Sequence, residues 1–263
     1  MGSTALAVLA TTLLAAAALP PANAATQEVT AASVTANKSG GTTINITMDK
    51  SGKPVVDADE QQVLEGLKMI QAGQILAAID GPINAVINKY EAKYGQHPKD
   101  TYSARGATDA LLYAGIGAKD KRNVVVLGPA WAMAYWARGY AYGEMNRYDD
   151  EQAELEKALA LAPFDAQYSN ELAYVLMQKR DWNGAMEHYR AGQEYAPLTA
   201  ADGVTPMQCA ALRGQGYVLV ELHRLDEAEA KYRECLTLIP GEPKSLGEIG
   251  YIHEQKKKLE QAH

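Results

Sequence analysis

Residues 205–240 read TPMQCAALRGQGYVLVELHRLDEAEAKYRECLTLIP. The stretch divides into two amphipathic helices around a tight turn. Thr205 followed by Pro206 has the chemistry of a helix start, an N-cap hydroxyl with proline at the first helical position. Leu212, Tyr217, Leu219 and Val220 then return at the spacing of one helix face. A second helix opens at Leu225-Asp226-Glu227-Ala228 and carries Ala228, Tyr232, Cys235, Leu236 and Ile239 on its inner side. Pro240 ends it, because an interior proline removes a donor and collides with the preceding turn. Two helices alone cannot bury both apolar faces, so the pattern has to recur.

It does recur. Prolines at 98, 129, 163, 197 and 240 each close a helical run, at intervals of 31, 34, 34 and 43 residues. A helix–turn–helix unit with a period of 34 resembles the tetratricopeptide repeat, whose pattern is W-x2-L-G-x2-Y, then A-x3-F, then P. The last unit carries it as Leu212, Gln215-Gly216, Leu219, Ala228, Tyr232 and Pro240. The unit before has Ser169, Leu172-Ala173, Leu176, Ala185, Tyr189 and Pro197. The first has Tyr135, Arg138-Gly139, Tyr142, Leu155 and Pro163, with Glu151 where alanine is expected. The resemblance implies an all-α, right-handed solenoid of antiparallel helix pairs. Gly139, Ala173 and Gly216 would let the second helix of each pair approach closely.

The repeats fall at 130–163, 164–197 and 207–240, with an inter-repeat insertion at 198–206 expected to form a surface loop. Residues 243–261 read as a capping helix, and Lys256-Lys257-Lys258 near its end suits the helix dipole. Upstream, 99–129 reads as a degenerate repeat. Val124-Val125-Val126 could be a strand, but the proline spacing favours a helix there. Residues 58–98 read as an N-terminal helix pair, a degenerate repeat or cap, broken at Asp80-Gly81-Pro82 and closed by Gly95. Residues 25–57 are rich in Thr, Ala, Ser, Gly and Asn, a flexible linker in which Thr43–Met48 could form a short hairpin with Pro54-Val55-Val56. Residues 1–24 have an apolar run of small residues and leucines followed by Ala22-Asn23-Ala24, the make-up of a secretory signal peptide, although no Lys or Arg precedes the run. The expectation is an exported protein, periplasmic or secreted, with no membrane span in its mature form.

A net charge of −7 disfavours nucleic acid, which needs a basic face. Two cysteines do not make a disulfide scaffold. Cys209 and Cys235 fall at the same end of one hairpin, offset by about one helical turn, so whether they are bridged stays open; a Cα separation above about 7 Å excludes it. The five histidines show no paired metal spacing, and neither a nucleophile elbow nor a phosphate loop is present. The sequence therefore points away from an enzyme and calls for no cofactor or metal.

The residue after each small position is Tyr140, Tyr174, Tyr217 and Tyr251, in register with the repeat. In the tetratricopeptide family this offset faces the concave groove. Trp136, Asn170 and Arg213 lie one turn earlier and Met177 about one turn later. The resemblance thus implies a tyrosine-lined groove that takes a protein or peptide, since tyrosine offers contact area with a polar tip. Alternatively these rings pack between adjacent first helices, and the chain is a structural subunit of an envelope or secretion assembly. The partner's identity and the oligomeric state are not legible in the sequence.

Overall fold

The computed structural model describes residues 34–36, 42–46, 55–96, 98–198 and 201–261. The expected signal peptide, most of the expected linker and Pro54 lie outside the described residues. Two short strands come first, β1 (Val34–Ala36) and β2 (Thr42–Asn45). Helix α1 (Ala58–Gln71) starts at Asp57, whose carboxylate accepts from the Glu60 amide at 2.8 Å.

The first helix pair turns at residues 72–74, earlier than expected. Gly73 takes φ +78°, its amide donates to the Ile70 carbonyl, and the Gln74 amide donates to the Met69 carbonyl. These two bonds are a Schellman closure, which needs a left-handed residue. The return helix comprises α2 (Ile75–Ala78), a π-helical segment (Ile79–Ile83) and α3 (Asn84–Tyr94). The expected break at Gly81-Pro82 is a kink within this return segment. Pro82 lacks an N–H, and the chain leaves helical geometry just before it, with Gly81 at φ −99°, ψ −106°. Gly95 ends α3 at φ +84°.

Residues 99–129 are not a helix pair. Strand β3 (Thr101–Ser103), helix α4 (Ala107–Asp120) and strand β4 (Val125–Leu127) form a β–α–β unit. Strands β3 and β4 are parallel, β2 adds in parallel on the other side of β4, and β1 pairs antiparallel with β2. The alternating Thr43–Ile46 stretch is thus a strand as expected, but among the described residues its partners are β1 and β4, not 54–56. This lobe has its own core of Ile46, Ala104, Ala110, Tyr113, Val124 and Val126, closed by Tyr102 and Phe164. Tyr113 stacks on both rings at 5.0 and 6.0 Å. Arg105 pins the lobe to the solenoid through Asp165 at 2.7 Å and lies over the Tyr168 ring.

The regular solenoid follows. Helix α5 (Ala130–Glu144) pairs with α6 (Tyr148–Leu161), α7 (Ala166–Gln178) with α8 (Trp182–Tyr195), and α9 (Ala201–Glu221) with α10 (Leu225–Leu238). Helix α11 (Pro243–Gln261) covers α10. Each hairpin turns through one left-handed residue at the same register: Asn146, Arg180 and His223, at φ 58°, 61° and 58°. Each turn repeats the Schellman bonds found at Gly73, with Arg147 donating to Tyr142, Asp181 to Leu176 and Arg224 to Leu219. Helix α5 stacks directly on α1 and α3, burying Trp131 and Tyr135 against Val63, Ile83 and Ile87. The β–α–β lobe is therefore set aside from the stack instead of being a layer of it.

Two further details depart from the sequence reading. The insertion before the last repeat is helical from Ala201, so it lengthens α9 instead of looping out, and Pro206 lies inside that helix. Cys209 and Cys235 are joined by a disulfide, with Cα atoms 4.6 Å apart.

Gly216 and Ala173 are buried, and a Cβ added to Gly216 would meet the Tyr232 ring of α10 at 2.8 Å. Replacing Gly216 with leucine is expected to cost about 1–3 kcal/mol by overpacking. A thermal melt checks this, and an unchanged midpoint would show that Tyr232 swings aside freely.

Candidate binding groove

The tyrosine register falls on four helices, with Tyr140 on α5, Tyr174 on α7, Tyr217 on α9 and Tyr251 on α11. Trp136 and Tyr140 on α5 stack at 6.3 Å, with their planes 18° apart. Trp136, Tyr174 and Tyr217 are half-buried and pack around one core of Leu155, Leu172, Leu176 and Val218. Tyr251, on α11, is 42 % exposed. Burial, reinforced by Glu221, Glu248 and Tyr174, pushes the Tyr217 phenol up to about 12. Burial also raises Tyr174, with Tyr148, Glu151 and Glu144 adding to it. Burial followed by Glu144 and Glu171 raises Tyr140.

Three residues placed in the groove from sequence do not present a free side chain. Asn170 is 3 % exposed. Its amide donates to the Met207 carbonyl at 3.2 Å, and its Oδ1 lies against Gly192 of α8, where it packs helices together. Met177 is 5 % exposed, with the Tyr189 hydroxyl 4.0 Å from its sulfur. Arg213 is committed to Glu242 at 3.6 Å and to the Cys209 sulfur at 3.5 Å. Even spacing along a helix fixes a face, but neighbouring helices decide how much of that face is covered.

What sequence reasoning missed is the acid beside the rings. Glu171 of α7 accepts from the Trp136 indole N–H and from Gln167 at 3.0 Å, and burial pushes its carboxyl up to about 7. Glu151 of α6 is 7 % exposed, and its Oε2 has no hydrogen-bond partner among the described residues. Burial, then Glu171 and Glu144, pushes that carboxyl up to about 8. One turn along α6, the equally buried Glu154 is held by Arg138 and Lys157, both at 2.7 Å. The signal for Glu151 was its place in an alanine position of the repeat, matched by Ala185 and Ala228, both fully buried.

Among the described residues, one group of three His, Cys, Asp or Glu ligand atoms lies within 4.8 Å, namely Cys209, Cys235 and Glu242. The two sulfurs are bonded to each other and offer no thiolate to a metal. Also among the described residues, no helix is long and apolar enough to cross a membrane.

Residues 132–165 match the family model of the tetratricopeptide repeat. Human cell division cycle protein 16 homolog is 27 % identical over 124 residues, 47 % of this chain and 20 % of that protein. The chain thus spans about a fifth of the length of the curated relative it matches. The solved structure of Pseudomonas aeruginosa pilF is similar over 76 % of this chain and 70 % of its own, with 15 % identity and a TM-score of 0.53. A crystal structure of MamA is similar over 77 % and 86 %, with 13 % identity and a TM-score of 0.48. At 15 % identity the likeness to pilF concerns the fold. The family match shows a tetratricopeptide repeat at 132–165, and the turn at Asn146 within it recurs at Arg180 and His223.

Proposed function

We propose that this chain is an exported scaffold, free of catalysis, that holds a protein or peptide partner along the tyrosine face of its first helices. Repeat stacks of this kind serve protein–protein interaction through the extended surface their curvature creates. The observation that carries the finer reading is the shared register of Tyr140, Tyr174, Tyr217 and Tyr251, each keeping ring area accessible. A ring with a polar tip is the residue type that anchors interfaces. The disulfide supports export, since such bonds persist in oxidising compartments.

Selection from a random peptide library on the purified chain tests this, with Tyr174→Ala/Tyr217→Ala as counter-target. Peptides retained by the parent are expected to lose about 1–3 kcal/mol of binding to Tyr174→Ala. Because Tyr174 is half-buried, its own melt should fall by only about 1 kcal/mol, against 3–5 for a fully buried ring. Peptides held equally by both proteins, or no enrichment at all, would overturn the groove. A large loss of stability would make the tyrosines packing between repeats.

A further inference from the structure

Glu151 stands where the two following repeats have alanine, and the residue facing it changes in step. Its carboxylate lies against Gly143 of α5, so closely that an added Cβ would come within 2.7 Å of either oxygen. At the position of Gly143 the next repeats carry Met177 and Val220. Those repeats therefore pair a large apolar residue with alanine, whereas this one pairs glycine with glutamate. The exchange puts a carboxyl group where the other repeats put hydrocarbon. Burying a carboxyl without a partner is unfavourable, and packing does not require it here.

Among the described residues, no cation forms an ion pair with it. Arg138 and Lys157 are held by Glu154, Arg147 by Asp150, and Lys179 by Asp149. Arg105, just before α4, is held by Asp165, the N-cap of α7. The groups that do face Glu151 are acidic or phenolic: Glu144 from α5, with Glu171 and Tyr174 from α7. Tyr148 of α6 and Tyr140 of α5 stand beside them.

We infer that Glu144, Glu151 and Glu171 receive an arginine side chain of the partner, with its guanidinium against the rings of Tyr140 and Tyr174. This rests on the groove reading and names the chemistry of what the groove takes. Three features favour arginine. The oxygens of these three carboxyls do not gather within 4.8 Å of one another, too spread for a bare metal ion. A guanidinium has five N–H donors in a planar fork, which can bridge separated carboxylates and stack on a phenol ring at the same time. The net charge of −7 also favours a basic partner.

The minimal probe is N-acetyl-arginine amide, titrated to about 20 mM into the full chain while backbone amides are followed by NMR; weak affinity suits a lone charged group. Shifts are expected to centre on Gly143, Glu144, Glu171 and Tyr174, and to be absent with the uncharged N-acetyl-citrulline amide. Glu151→Gln should weaken the interaction about tenfold, the scale of one charge-assisted bond. The exposed Glu144→Gln should weaken it too without disturbing the core. Affinity should rise between pH 6 and pH 8.5 as Glu171 and Glu151 ionise. Equal shifts with citrulline, an unchanged Glu151→Gln, or an equal response to N-acetyl-lysine amide would each overturn the assignment of a guanidinium. The library selection separates this from the broader reading. Peptides that need Tyr174 but lack arginine and ignore Glu151→Gln would keep the groove and overturn the arginine site.

Discussion

Removing the Cys209–Cys235 bridge is expected to lower the unfolding free energy of the C-terminal repeat by about 3–4 kcal/mol. The bond closes a loop with a sequence separation of 26 residues. In the chain-entropy account, a loop of that size restricts the unfolded state by about 3.5 kcal/mol at 25 °C. The bridge ties α9 to α10 at the open end of their hairpin, opposite the turn at His223. Arg213 leans on the same sulfur while holding Glu242, whose carboxylate accepts from the Ser245 amide at 2.7 Å and so caps α11. Loss of the bridge should therefore loosen α9, α10 and α11 together. Because repeats contact mainly their neighbours, α5 and α6 should stay protected. Hydrogen exchange with and without reductant reads this pattern, and Cys209→Ala/Cys235→Ala should make the protein indifferent to reductant. Identical exchange in both states would show that the hairpin closes as firmly without the bond.

The repeats from 130 onward were legible because each carries several local signals that agree: proline stops, a small residue at the helix crossing, and apolar spacing. The departures arise where one distant contact outweighs those signals. Gly81-Pro82 does interrupt helical geometry, but only as a kink, because Ile79 and Ile83 on either side of it are both held in the core. The turn was instead at Gly73, marked only by one glycine. Val124-Val125-Val126 was ambiguous because a strand needs partners, and β2 lies some eighty residues away in sequence. The candidate groove divides in the same way. Its tyrosines follow the repeat and could be read from their period. Its carboxylates could not, because glutamates along a helix ordinarily mark a solvated face. Whether Glu151 is solvated depends on Gly143, which lies across the hairpin.

That buried carboxyl should dominate how the stability responds to alkali. In the unfolded chain Glu151 loses its proton near its ordinary 4.5, whereas the folded chain keeps it until about 8. Between those values the folded state binds the extra proton, so stability falls as pH rises, and the loss is complete above about 8. Each tenfold step in the constant is worth about 1.4 kcal/mol, so the full effect is up to about 5 kcal/mol. Glu171, raised to about 7, acts in the same direction. Glu229 acts the other way: Lys256, Arg233 and His253 hold it down to about 2, but its contribution is complete above about pH 4.5 and leaves the window clear. Burial holds the His188 imidazole below its usual range, so stability gains as pH rises toward 6.5 and opposes Glu151 below that value. The difference between parent and Glu151→Gln, not the parent's slope alone, therefore isolates the carboxyl. The two proteins should be nearly equal at pH 5, and Glu151→Gln should be the more stable by a few kcal/mol at pH 8.5. Gly143→Met/Glu151→Ala, which copies the pair Met177 and Ala185 of the next repeat, should follow the profile of Glu151→Gln and not that of the parent. Urea melts across that range measure both, and parallel curves for parent and Glu151→Gln would mean that the carboxyl reaches water and titrates as a surface group.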